Sequence, residues 1–356
     1  MNFDIIATFE KGFRIIPRLK IEFLKQNAMR SVVNSLAPIV VGSIFFFGWR
    51  SLAIIVVSMI TCVATEWMFV RNQKAGKVSE AAFVTALLYG LILPPTLPFY
   101  MVILGAIFGM TFGKMAFGGF GMNVFNPALV ARVFVYITFP IQSTSTWIPA
   151  ANFADFPGGF GAWLYAAKSP LTAITSATPL SAFRDGATTL PSLWQLFFGN
   201  IQGQFERFGE TLLIGGGSVG ETSAFLIILG GLYLLYKKVA NWKIVASFFG
   251  AFIIFQLLFH YAVPGKVGNV FFGLFAGGVM FGGFYMVTDP ISASRTELGK
   301  IICPALAALL TILIRAFALF AEGVMFAILL TNTFTPIIDY AINSVQARKS
   351  DDGPKS

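Results

Sequence analysis

Residues 51–70, SLAIIVVSMITCVATEWMFV, hold a single carboxylate, Glu66, in an otherwise apolar run, and they decide which solvent this chain is built for. A helix of that length rises about 30 Å, the thickness of the hydrocarbon layer of a bilayer. Further apolar stretches of about 15 to 22 residues recur from Ser31 onward. The pattern predicts helices at 32–48, 51–70, 80–94, 98–117, 124–140, 222–237, 242–262, 267–288, 300–318 and 321–340. The fold class is therefore an all-α polytopic membrane protein of about ten transmembrane helices.

Composition agrees with that reading. Of 356 residues, 56% are hydrophobic and only 12% are charged, against roughly 25% charged in soluble domains. The net charge of +9 does not point to nucleic acid, because the basic residues are spread between apolar segments rather than gathered with aromatics on one face. Cys62 and Cys303 are the only cysteines and His260 the only histidine, each within an apolar segment, so no iron–sulfur, haem or zinc centre is expected from this chain alone.

The spans divide the chain into an amphipathic basic N-terminus (1–31), a first half (32–140), a hydrophilic excursion (141–221), a second half (222–342) and a tail (343–356). With these spans, 18 of the 25 basic residues fall in the N-terminus, the tail and one set of alternate loops. The positive-inside rule then places both termini in the cytoplasm and the 141–221 segment outside. Its Gly, Pro, Ser and Thr content predicts turns and short elements packed on the membrane face.

Five helices on each side of that segment also show a weak echo. Leu93-Pro94-Pro95 at the end of the third helix is matched by Thr288-Asp289-Pro290 at the end of the eighth, and Asn126-Pro127 in the fifth by Asn332 and Pro336 in the tenth. Five is odd, so the halves would be inverted, and broken helices at matching positions of inverted halves point to a central site. Membrane helices carry Pro and Gly for other reasons as well, so the echo alone leaves both readings open.

Ionisable residues in or at the ends of the spans are Glu66, Glu80, Lys114, Arg132, Asp289, Arg315, Glu322 and Asp339. Each costs about 2.5 to 3.5 kcal/mol at mid-span, which makes function or mutual pairing the reason to keep it. The stretches Thr175-Ser176-Ala177-Thr178-Pro179-Leu180 and Arg184-Asp185-Gly186-Ala187-Thr188 read by themselves as small-residue turns. Gly118 to Leu129 matches neither a Rossmann fingerprint nor a P-loop, and close helix packing explains its glycines equally well.

Phe83-Val84-Thr85, Leu93-Pro94-Pro95-Thr96-Leu97-Pro98, Gly118-Gly119-Phe120-Gly121-Met122-Asn123 with Asn126-Pro127, Ser176-Ala177-Thr178-Pro179-Leu180, Gly217-Ser218-Val219-Gly220-Glu221 and Thr288-Asp289-Pro290 stand in the order of a known family. With Glu322-Gly323-Val324-Met325, Pro336 and Asp339 they span nearly the whole chain. The sequence resembles the membrane subunits NqrB, of the sodium-translocating NADH:quinone reductase, and RnfD, of the Rnf ferredoxin:NAD oxidoreductase. Glu80 and Ile291-Ser292-Ala293-Ser294 look more like NqrB, while the short N-terminus and Ala177-Thr178-Pro179-Leu180 suit RnfD equally. The balance falls slightly toward NqrB.

The resemblance implies FMN joined through its phosphate to a threonine by a flavin transferase, and the matching residue is Thr178. Thr172 and Ser176 stand where that signature has aspartate and glycine. Thr188 is a competitor that keeps the glycine but lacks the upstream acid. The family also implies a non-covalent riboflavin and quinone contacts near Gly118, Gly119, Asn123 and Asn126, and an Na+ or H+ pathway through Glu80, Asp289 and Asp339. It implies an inner-membrane component of a bacterial respiratory complex, incomplete without partner subunits and with no catalytic residue of its own. The competing class is a small-solute channel or transporter of similar inverted architecture, which has no use for a flavin attachment site.

Overall fold

The computed structural model describes residues 22–71, 76–165, 176–187, 189–207, 210–318 and 322–351. The first 21 residues, Lys74, Thr172, the competing Thr188 and the last five residues lie outside the described residues. The main helices are α1 (Asn27–Phe47), α2 (Trp49–Val70), α3 (Ala81–Leu91), α4 (Phe99–Gly113), α5 (Pro127–Thr138), α6 (Ala224–Tyr236), α7 (Trp242–Ala262), α8 (Val270–Phe275), α9 (Gly299–Phe317) and α10 (Val324–Asp351). Among the described residues, six helices are long and apolar enough to cross a membrane: α1, α2, α4 with its extension to Phe117, α7, α9 and α10. The chain is a multi-pass membrane protein.

Four expected spans are shorter than predicted or broken, three of them for an evident local reason. Helix α3 stops at Leu91 because Pro94 and Pro95 follow it, and neither has an N–H to continue the ladder. Helix α5 starts at Pro127, where Asn126 caps it by accepting from Ala128 N at 3.0 Å, and stops at Thr138, before Pro140. Helix α6 spans only Ala224–Tyr236. The 267–288 span is broken: α8 ends at Phe275, Ala276 is extended, Gly277 has φ +72°, and a short helix and a π turn follow over 279–286. Unwinding exposes carbonyls, and Arg315 donates to two of them, Gly273 O at 2.8 Å and Ala276 O at 3.1 Å. At the other end of the chain α10 runs on to Asp351, so residues 343–351 are helix rather than tail.

Two small pairings amend the all-α expectation. Strand β1 (Phe23–Leu24) runs parallel to β2 (Val78–Ser79), and β3 (Gly203–Arg207) pairs antiparallel with β4 (Glu210–Ile214) in the register Gly203↔Ile214. The segment between α5 and α6 also carries short helices at 140–144, 179–184 and 193–198. Its apolar residues Ile148, Ala150, Leu196 and Ile201 pack with Phe45, Phe46 and Phe47 of α1 and with Phe272 and Ala276. This segment shares its core with the helix ends.

Packing inside the bundle follows small residues. Gly105, Gly109 and Gly113 form a stripe on α4 at intervals of four, and α5 lies against it: a Cβ at Gly109 would stand 2.7 Å from Pro127 O. Helix α2 packs on α3 and α4, and α4 on α5; α7 packs on α9, and α9 on α10; α1 and α6 pack on each other. Gly48, with φ +96°, joins α1 to α2 in a one-residue turn where a Cβ would sit 2.8 Å from the carbonyl oxygens of Ala162 and Trp163. Those same carbonyls accept from Trp49 N and Arg50 N, so the turn satisfies two donors at the head of α2.

Candidate functional site

Thr178 lies between a strand contact and a short helix. Ala177 N donates to Leu213 O of β4 at 2.8 Å, which fixes the chain just before it. Pro179 then starts the helix Pro179–Arg184, and Thr178 Oγ1 caps it by accepting from Ser181 N at 3.2 Å. The Thr178 side chain is half-buried and opens on a groove whose walls include Leu180, Gly216, Gly217, Glu221, Ala276 and Gly277. Two residues earlier, Ser176 is buried and its Oγ has no hydrogen-bond partner among the described residues.

Charged side chains from distant parts of the chain meet at this groove. Arg132 of α5 forms an ion pair with Glu322, which stands just ahead of α10, and both are largely buried. Glu221 joins them from the segment leading into α6, with Oε1 against Gly278 and Oε2 buried without a partner among the described residues. Burial, with the Glu322 charge beside it, holds the Glu221 carboxyl above the ordinary carboxylate range. Arg315 reaches in from α9 and pins the break between α8 and Gly278. Arg132, Arg315 and Glu322 are expected as ionisable residues in apolar spans, but their meeting, and the addition of Glu221, is a tertiary result. The only sequence signal for Glu221 is its place at the end of Gly217-Ser218-Val219-Gly220.

The motif Leu93-Pro94-Pro95-Thr96-Leu97 is held near the same end of the bundle. Arg50 donates to Pro95 O at 2.9 Å and Leu97 O at 3.0 Å, while Val219 N and Gly220 N donate to Leu93 O and Leu91 O. The carbonyls left free at the end of α3 therefore find donors inside the protein, as a membrane interior requires. The same bonds tie the Glu221 segment to α3.

The other end of α3 carries a second pocket. Asn123 and Asn126 line it with Lys114, Phe120, Thr288 and Asp289, while Val84, Leu88 and Tyr285 supply apolar walls. Asn123 Nδ2 donates to Phe125 O at 3.0 Å, and Asn126 Oδ1 is taken by its helix cap, leaving the Asn126 amide protons as the group that could meet a ligand. Gly118 and Gly119 occupy a turn with φ +109° and +95° outside this pocket. Lys114 is 2% exposed and bonds Glu66 Oε2 and Ser79 Oγ, each at 2.7 Å.

The three expected ion-pathway carboxylates stand in three separate arrangements. Glu80 accepts from Arg30 Nη2 and from Gln26 N, both at 2.6 Å, and the Arg30 bond holds its carboxyl below the usual range. Asp289 lies in the Asn123 pocket and accepts from Ser292 Oγ at 2.7 Å. Asp339 holds the 294–296 turn, accepting from Ser294 Oγ, Thr296 Oγ1 and Arg295 N. Among the described residues no group of three or more His, Cys, Asp or Glu side chains is arranged to hold a metal.

Residues 17–348 match the model of the NQR2, RnfD, RnfE family. The chain is similar to the D subunit of the ion-translocating oxidoreductase complex of Aeromonas hydrophila, 35% identical over 88% of this chain and 92% of that protein. It is also similar to the D subunit of the proton-translocating ferredoxin:NAD(+) oxidoreductase complex of Clostridium ljungdahlii, 34% identical over 91% of this chain and 92% of that protein. The D subunit of the ion-translocating oxidoreductase complex of Halorhodospira halophila is 30% identical over 88% of this chain and 89% of that protein. A model match across nearly the whole length, with relatives above 30% identity, establishes that the chain belongs to the NQR2, RnfD, RnfE family.

Proposed function

We propose that this chain is the D-type membrane subunit of an Rnf-like ion-translocating oxidoreductase, carrying FMN in phosphoester linkage on Thr178. Subunit membership rests on the relatives, which are named as D subunits and match both in sequence and in length. Those names move the assignment from the B-type subunit to the D-type. The observation that carries the flavin reading is the position of Thr178: a half-buried hydroxyl at a helix cap, opening on a groove floored by glycines.

The residues fit such a group. Thr178 would carry the phosphate, and its oxygen could still accept from Ser181 N after esterification. Gly216, Gly217 and Gly277 leave part of the groove wall without side chains, and the Ser176 hydroxyl, without a partner among the described residues, lies close by. When bound, the flavin supplies one- and two-electron transfer. Near it Arg132 and Arg315 face Glu221 and Glu322, a network that sets the local charge. The matched packing of α2, α4 and α5 with that of α7, α9 and α10 supports two similar halves, whose inversion follows from the odd number of helices in each. The Asn123 pocket suits a planar, mostly apolar ligand such as riboflavin or a quinone ring, and Glu80, Asp289 and Asp339 are assigned to uptake and release of Na+ or H+.

Ultraviolet in-gel fluorescence of the denatured chain, produced with a flavin transferase, tests the attachment. We expect a bright wild-type band, a bright Thr188→Ala band and a dark Thr178→Ala band. A dark wild-type band would remove the flavin reading and leave the channel class in its place.

A further inference from the structure

Two side chains of α7 hold the turn that joins it to α8. Gln256 Nε2 donates to Gly268 O at 3.0 Å, and His260 Nδ1 donates to Val267 O at 2.8 Å. Gly265, with φ +84°, lets the chain reverse there, and the turn carries Lys266 over the Phe317 ring at the end of α9, its Nζ 5.3 Å from the ring centre. Beside this turn lies a cavity of about 300 Å³, at the lower end of the range of small-molecule sites, about 300 to 1,000 Å³. Lys266 shares its wall with Arg315 of α9 and with Arg184, the last residue of the short helix Pro179–Arg184. Three cations from three distant segments of the chain thus meet at one cavity.

Nothing on the wall neutralises them. No carboxylate lines the cavity, and among the described residues none of the three cations forms an ion pair. Arg315 gives Nη1 to Gly273 O and Nη2 to Ala276 O, while its buried Nε has no partner among the described residues. Arginine and lysine offer donors and no acceptor, so the occupant that suits this wall is an acceptor, and a cleft lined by one sign of charge concentrates the opposite ion. The apolar surroundings choose among anions. Phe183, Phe272 and Phe317 make up much of the remaining wall, and α7 presents Ile254, Leu257, Leu258 and Tyr261 outward at helical spacing, exposed by 47% to 75%. A free inorganic anion gains nothing from that stripe, whereas an anion carrying acyl chains can lie along it. Basic pockets between membrane helices take anionic lipid headgroups in this way.

We infer that this cavity holds the phosphodiester headgroup of an anionic phospholipid, with Arg184, Lys266 and Arg315 around the phosphate and the acyl chains along the outer face of α7. Guanidinium groups suit phosphate oxygens in geometry as well as charge. Arg315 also satisfies the carbonyls opened after α8, so a headgroup that holds its guanidinium in place braces the broken helix. The inference does not rest on the flavin reading. Leu180 lines both this cavity and the Thr178 groove, but Thr178 lines the groove alone.

The test is the thermal unfolding of the full-length chain, washed free of co-purified lipid in a nonionic detergent. At fixed salt it is titrated with dioleoylphosphatidylglycerol, with dioleoylphosphatidylcholine or with inorganic phosphate. Wild type is expected to show a saturable rise in melting temperature with phosphatidylglycerol only. Arg184 and Lys266 are exposed, so Arg184→Gln combined with Lys266→Gln should fold like wild type. In that variant the phosphatidylglycerol concentration for half effect should rise about tenfold or more. Lys237→Gln with Lys238→Gln removes the same charge at the end of α6 and should leave the response unchanged, as should Thr178→Ala. Equal melting in the two lipids overturns the proposal, and an equal rise with inorganic phosphate overturns the lipid as its source. An undiminished response in the cavity variant, or an equal loss in the α6 variant, shows attraction to the surface at large and overturns it too. A response lost in Thr178→Ala gives the cavity to the flavin phosphate instead.

Discussion

At the scale of single residues, the chain keeps charges in an apolar interior by giving them partners. Lys114, at 2% exposure, is held by Glu66 and Ser79, and Ser79 N donates to Glu66 Oε1 at 3.0 Å. Removing one member of such a pair leaves an uncompensated buried charge, a loss of about 3 to 5 kcal/mol, whereas replacing both with apolar residues is often close to neutral. Lys114→Met should therefore lower the melting temperature of the detergent-solubilised chain sharply, and Lys114→Met with Glu66→Leu should recover most of it. If the single variant melts with wild type, the pair is not compensating charge. That Lys114 needed a partner was legible in the sequence, because it ends an apolar span; that the partner is Glu66, 48 positions away, was not.

Elements in this protein are shaped as much by what approaches them as by their own propensity. The Gly105, Gly109 and Gly113 stripe is a four-residue repeat that any reading of α4 can find, and its use becomes clear only with α5 laid against it. Gly109→Val places methyl groups where Pro127 O and Ala131 already stand, and overpacking of that kind costs about 1 to 3 kcal/mol. Gly250 in α7 has nothing within 4 Å of a built Cβ, so Gly250→Val serves as the control. Thermal unfolding should separate the two, and equal losses would mean that the α4–α5 contact is looser than described. The break after α8 was harder to foresee. Its glycines are ordinary for a membrane helix, and the Arg315 side chain that satisfies the opened carbonyls comes from a different helix.

On the scale of the whole molecule, the Arg132–Glu322 pair joins the two groups of helices at the groove below Thr178. Arg132→Gln leaves Glu322 and Glu221 facing each other without the nearest guanidinium, with a loss of about 3 to 5 kcal/mol expected. Arg132→Gln combined with Glu322→Gln should restore much of the melting temperature. A single variant as stable as wild type would show that the two groups are joined by apolar packing alone. The same network connects the Thr178 groove, through Glu221 and the bonds of Val219 and Gly220, to the end of α3, whose other end borders the Asn123 pocket. One short helix thus lies between the two candidate cofactor regions.

The solvent and the family can both be read along the chain without coordinates. Apolar runs long enough for a bilayer require a helical membrane protein, because no other open backbone satisfies its polar groups there. The ordered motifs from Phe83 to Asp339 mark the family, and Thr178 can be named from its neighbours Ser176, Ala177, Pro179 and Leu180. It took the packed helices to settle which charges meet, that Asp289 sits with Asn123 and Asn126 while Glu80 and Asp339 stand apart, and that Arg184, Lys266 and Arg315 share a cavity. The difference is one of range. Burial and helix termination act over a few residues and follow the local order of side chains, whereas ion pairs, freed carbonyls and cavities are settled by segments tens to hundreds of positions apart.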